Sequence, residues 1–90
     1  MAEDLETKRK RLLYRSWHRG TKELDLILGK FAEQHLADFS PGELVQYEAI
    51  LESDEHDIYA WLAGRQEVPA EHRNPVVQRI LDYRVSDKIR

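Results

Sequence analysis

The sequence predicts an all-α fold, a single compact five-helix bundle, on three observations. Apolar residues recur at helical spacing through most of the 90 residues. No stretch alternates apolar and polar residues over the length of a strand. Helix start signals punctuate the chain at short intervals, so the connections must be short. A chain of this length makes one domain, residues 1–90, with the ordered core expected over about 8–84. The charged ends, Met1–Glu6 and Val85–Arg90, are expected to fray.

Each element has its own justification. Leu5, Leu12, Leu13 and Trp17 suggest a first helix that stops near Gly20. Leu24, Ile27, Leu28, Phe31 and Ala32 follow the i, i+3, i+4, i+7, i+8 template and continue to Leu36, predicting a second helix over about 21–36 with Gly29 inside it. In Phe39-Ser40-Pro41-Gly42-Glu43-Leu44, the serine takes the N-cap, proline the first helical position and glutamate the third. That is a capping box, and Phe39 with Leu44 fills the two positions of a hydrophobic staple. The third helix then runs from Pro41 to about Glu52, burying Leu44, Tyr47, Ile50 and Leu51. Ser53 or Asp54 caps a short fourth helix, which buries Ile58, Trp61 and Leu62 and ends at Gly64. Pro69-Ala70-Glu71 marks a helical turn, and Asn74-Pro75 opens a fifth helix striped by Val76, Val77, Ile80 and Leu81.

Composition narrows the function. At 41% hydrophobic and 34% charged, this is a globular chain and not a disordered tail. No apolar run approaches the roughly 20 residues a membrane span requires, so no membrane insertion is expected. The acidic start, Met1-Ala2-Glu3-Asp4-Leu5-Glu6, has the character of neither a signal nor a transit peptide, and the expected location is a bacterial cytoplasm. The absence of cysteine removes disulfides, thiolate metal sites and thiol catalysis. Charge is uneven. Eight Lys/Arg face two acids between Lys8 and Lys30, whereas Glu33–Asp57 holds eight acids and no Lys or Arg. Such a dipole steers a protein partner or folds against itself, and it argues against nucleic acid.

The usual chemistry finds no foothold. His18, His35, His56 and His72 make no metal-ligand spacing. Ser40 and Ser53 are accounted for as helix caps, and no base is placed beside any serine. Gly20, Gly29, Gly42 and Gly64 are too far apart for a phosphate loop, and Asp54-Glu55-x-Asp57 lacks the spacing and glycine of a calcium loop. The expectation is a protein that is not an enzyme and has no catalytic residue, metal or tightly bound cofactor.

Two features call for a contact surface. One is Trp17-His18-Arg19-Gly20 followed by Glu23, where an aromatic, an arginine and a glycine gather at a helix junction. The other is Leu51-Glu52-x-Asp54-x-x-Asp57-Ile58-x-x-Trp61-Leu62, with carboxylates at a helix start beside a large aromatic. The bland readings are a core role for Trp61 and an intrahelical ion pair between Arg19 and Glu23.

These strings, Arg19-Gly20-Thr21-Lys22-Glu23-Leu24-Asp25, Leu51-Glu52-Ser53-Asp54 with Trp61-Leu62, and Val77-Gln78-Arg79-Ile80, resemble the FAD assembly factor family of succinate dehydrogenase over about residues 8–84. This is the bacterial SdhE group, related to mitochondrial succinate dehydrogenase assembly factor 2. The resemblance implies a five-helix chaperone that binds the flavoprotein subunit of succinate dehydrogenase, and in some bacteria that of fumarate reductase. It promotes covalent attachment of FAD to a client histidine. The FAD belongs to the client, and the chaperone is expected to be monomeric alone. Carried over, Arg19, Gly20 and Glu23 form the client contact, with Trp17, Asp25, Asp54 and Trp61 as further candidates. On this reading Gly20 admits close backbone approach, so a bulky residue there is expected to abolish binding and spare stability. Pro75 departs from the family pattern and puts the length of the last helix in question. Two other classes stand beside this one: an antitoxin-like module acting on a toxin or cytoskeletal partner, and a nucleic-acid regulator.

Overall fold

In the computed structural model, which describes residues 3–87, helix α1 (Leu5–Trp17) starts on Asp4, whose carboxylate accepts the Thr7 N–H at 2.7 Å. Helix α2 (Lys22–His35) starts on Thr21, whose hydroxyl accepts the Leu24 N–H at 3.3 Å, and passes into a 3₁₀ turn over Leu36–Asp38. Helix α3 (Pro41–Leu51) carries the predicted capping box in full: Ser40 accepts the Glu43 N–H at 3.2 Å and Glu43 accepts the Ser40 N–H at 2.8 Å. Phe39 and Leu44 are both buried, as a staple requires.

Of the two caps the sequence leaves open for α4 (Glu55–Leu62), Asp54 is the one used; it accepts the His56 N–H at 2.7 Å, and Gly64 beyond the helix has φ +75°. A 3₁₀ turn over Ala70–His72 occupies the predicted turn. Helix α5 runs Pro75–Asp87, with the Asn74 side chain accepting the Val77 N–H at 2.9 Å. Pro75 therefore does not shorten the last helix. It is the first residue, where a missing N–H costs nothing.

Helical structure reaches beyond residues 8–84 on both sides. Glu3 pairs with Arg11 at 2.8 Å and α1 begins at Leu5, so the chain is organised ahead of residue 8. At the other end α5 continues to Asp87; the expectations for Met1, Ala2 and residues 88–90 lie outside the described residues. Among the described residues there is no strand and no helix long and apolar enough to cross a membrane.

The core is built around α2. Leu24, Leu28 and Phe31 are fully buried, and the Phe31 ring lies 6.0 Å from Phe39, 5.9 Å from Tyr47 and 5.6 Å from Tyr83 between ring centres. Full burial of each such side chain contributes about 1.5–3 kcal/mol. Ser16 is buried on α1, donating to the Leu12 carbonyl at 2.8 Å and meeting the Tyr47 hydroxyl at 2.5 Å. Of the predicted α1 stripe only Leu12 is fully buried; Leu5 is exposed, because α1 packs on the bundle through its Leu12–Ser16 side.

The charge dipole folds against itself. Glu48 on α3 takes Lys8 at 3.3 Å and Arg11 at 3.0 Å, and Glu52 takes Arg15 at 3.5 Å. Arg9 donates to the carbonyls of Leu36 at 3.0 Å and Phe39 at 2.8 Å. The basic run is a seam between α1 and its neighbours, which is why it does not stand out as a nucleic-acid face.

Candidate functional site

The junction between α1 and α2 is a reversal that only a few residue types can make. Gly20 has φ +106°, a region that side chains strain to adopt. On either side of it the turn is tied down: the Arg19 N–H donates to Asp25 Oδ1 at 2.6 Å, and the Asp25 N–H donates to the Thr21 carbonyl at 3.0 Å. Asp25, a candidate contact residue from sequence, is spent on holding this turn.

Arg19 turns inward. Its Nη2 reaches the Ser53 carbonyl at 3.4 Å, between α3 and α4, and its Nε is buried without a partner. The i, i+4 ion pair with Glu23 does not form, because Gly20 places Arg19 outside the helix that carries Glu23. Burial pushes the Tyr47 phenol up despite its bond to Ser16, and the Arg19 charge pulls against that rise, so the guanidinium acts on the core. Ser53 Oγ lies 3.4 Å from His72 Nε2, and the His72 ring is 5.6 Å from that of Trp61. Trp61 is a core residue, 5% exposed, with its indole N–H buried and unpaired. The bland reading of Trp61 holds.

Trp17 also serves packing. A Cβ on Gly29 would overlap the Trp17 indole, so the glycine within α2 is the seat on which that ring lies. The indole N–H donates to Glu33 Oε2 at 2.9 Å. Asp54, as the cap of α4, is engaged with its own helix.

Glu23 is different. It is exposed in the first turn of α2 and lines a groove of about 290 Å³ with Thr21, Leu24, Glu55, His56 and Tyr59. Gly20 borders the same place: a Cβ built there would lie 3.4 Å from Glu55 Oε2. The structure thus brings Gly20 and Glu23 together at one open groove and places the Arg19 side chain behind the turn. It leaves Trp17, Asp25, Asp54 and Trp61 in structural roles. Glu55, His56 and Tyr59 are the residues that sequence reasoning missed. The signal was present, since Glu55 and Tyr59 stand at i, i+4 on a short helix and share a face. What faces them across the groove was not legible. Among the described residues, no group of three or more His, Asp or Glu is arranged to hold a metal ion.

Fold and site together define a small all-helical module that presents a turn-bordered groove. It belongs to the family described as the flavinator of succinate dehydrogenase, whose model matches residues 10–84. Three relatives illustrate the range. Succinate dehydrogenase assembly factor 2-B, mitochondrial, of Drosophila willistoni is 38% identical over 83 residues, covering 90% of this chain and 53% of the relative. Succinate dehydrogenase assembly factor 2, mitochondrial, of Debaryomyces hansenii is 35% identical over 89 residues, covering 96% and 63%. The FAD assembly factor SdhE of Acetobacter pasteurianus is 37% identical over 83 residues, covering 91% and 76%. The chain therefore spans about half the length of the fly relative and somewhat more of the yeast one.

Proposed function

We propose that this chain is an assembly factor that binds the flavoprotein subunit of succinate dehydrogenase and promotes covalent attachment of FAD to a histidine of that client. Fumarate reductase is a second client of the same kind. The carrying observation is the family match across residues 10–84, which includes the Gly20 turn and its groove. The relatives reported above are named as assembly factors, of succinate dehydrogenase in the fly and of FAD in the bacterium. A helper without a reactive group accelerates a bond-forming step by holding the client in the arrangement that aligns its histidine with the flavin. In this reading the FAD stays with the client, and the contact runs through Glu23 and the Gly20 turn, with Arg19 bracing that turn from inside. The setting is the cytoplasm of a bacterium. One of the three relatives, the FAD assembly factor of Acetobacter pasteurianus, is a bacterial protein.

The test is reconstitution. Apo flavoprotein subunit is incubated with FAD with and without this protein, and covalent flavin is read as fluorescence on a denaturing gel. The expected outcome is a band that grows faster with the protein present. Equal bands would remove the chaperone reading and reopen the antitoxin-like alternative, for which no observation in the fold or its relatives speaks.

A further inference from the structure

Once the internal ion pairs are drawn, two of the acids left without one share a groove. Glu48 is taken by Lys8 and Arg11, Glu52 by Arg15, and Glu43 by Arg79 at 3.8 Å. At the starts of α2 and α4 the capping is done by Thr21 and Asp54, so neither helix end uses the carboxylate of Glu23 or Glu55. Both carboxylates are without an ion pair or hydrogen bond among the described residues, and they stand on opposite helices of one groove whose half-buried aromatic wall is Tyr59, with the buried Leu24 behind it. Two unpaired carboxylates beside an accessible aromatic ring make a receptor for one long cationic side chain.

We infer that the groove between α2 and α4 receives an arginine side chain of the client, its guanidinium shared by Glu23 and Glu55 and its methylene stem lying on Tyr59. This rests on the chaperone reading and adds the chemistry that the client has to present. Arginine fits better than lysine because a planar fork of five donors serves two carboxylates at once and stacks on a tyrosine ring. The Tyr59 ring already draws a guanidinium within the chain: Arg65 lies 5.9 Å from its centroid, and Arg65 is not among the residues lining the groove. Gly20 borders the groove beside Glu55: a Cβ built there would come into van der Waals contact with Glu55 Oε2 at 3.4 Å.

The experiment measures the affinity of the full chain for the apo flavoprotein subunit of succinate dehydrogenase, with Glu23→Gln, Glu55→Gln, Glu55→Lys and, as a control on the exposed surface, Glu67→Gln. Each neutral groove variant is expected to weaken binding by about tenfold, the reversal by more, and the control by nothing, with melting temperatures unchanged. N-acetylarginine amide is expected to compete with the client, and its uncharged isostere N-acetylcitrulline amide to fail. Full-strength binding by Glu23→Gln and Glu55→Gln, or equal behaviour of the two amides, overturns the arginine assignment while leaving the chaperone standing. If the unsubstituted chain does not bind the subunit at all, the chaperone reading falls and this inference falls with it.

Discussion

Gly20 and Gly29 show how much one missing methyl group decides. Gly20 looks from sequence like an opening for a partner, and substitution there is expected to spare the fold. Its φ of +106° alters that expectation. Gly20→Ala should cost about 1–2 kcal/mol of stability through backbone strain alone. At about 4–8 °C per kcal/mol for a domain of this size, a thermal melt detects it. An unchanged melting temperature would mean that the turn relaxes without penalty. Gly29 reads from sequence as a weak point in a helix, yet it is where the Trp17 ring sits. Gly29→Ala should therefore destabilise by about 1–3 kcal/mol through overpacking, although alanine favours helices elsewhere. Adding Trp17→Leu should recover part of that loss, a non-additivity that a double-mutant cycle measures.

At the scale of elements, the caps were the most legible features. The Ser40–Glu43 box needs nothing beyond its own four residues, so the sequence specifies it completely. Asp54 was legible only as one of two choices, because Ser53 is equally suited locally. The tertiary fold turns Ser53 towards His72 instead. Asp54→Ala should cost about 1 kcal/mol, read by denaturant unfolding, through loss of the α4 cap. The seam between α1 and α3 was legible as a charge imbalance but not as a set of pairs. Burial pushes the Glu48 carboxyl up, but hydrogen bonds from Arg11 and Lys8 outweigh it and hold the group below its ordinary 4.5. A carboxyl lowered by folding contributes stability that is present above its ordinary value and is lost as pH falls through the lowered one. The protein's melting temperature should thus decline below about pH 4.5, with a shallower decline in Glu48→Gln. The same variant should lose at most about 1 kcal/mol at neutral pH, and less at high salt.

Across the whole molecule, one histidine ties α2 to α5. The His35 ring lies 4.7 Å from Phe31 and 5.8 Å from Tyr83, and its Nδ1 accepts from Arg79 Nη2 at 3.1 Å. Burial and then the Arg79 charge hold His35 below its ordinary 6.5, against a smaller opposing pull from Asp38. The neutral ring is the folded form. The unfolded chain takes up the proton first as pH drops, so this contribution is complete above about 6.5 and declines as pH falls through the lower folded value. A melting series across that window should slope downward towards acid, and His35→Gln should flatten it. A slope unchanged by the substitution would assign the effect to other groups. Tyr83, which shares this cluster, fell outside the predicted α5 stripe because its role depends on what α2 brings opposite it.

The sequence by itself determined the five helices, the capping box of α3, most of the core and the family, since each depends on residues within a turn or two of one another or on a linear string. Only the tertiary structure decided which of the candidate contact residues are available. Arg19, Asp25, Trp17 and Trp61 are claimed by partners 6 to 34 positions away, among them Asp25 for the Arg19 N–H and Ser53 for its side chain, or by the core itself. Glu23 was left open, and Glu55 was added to it from a helix that the linear spacing gave no reason to place there. The reason is physical: helical periodicity records which face an element buries, but which polar group is spent on a distant neighbour is settled only when the helices meet.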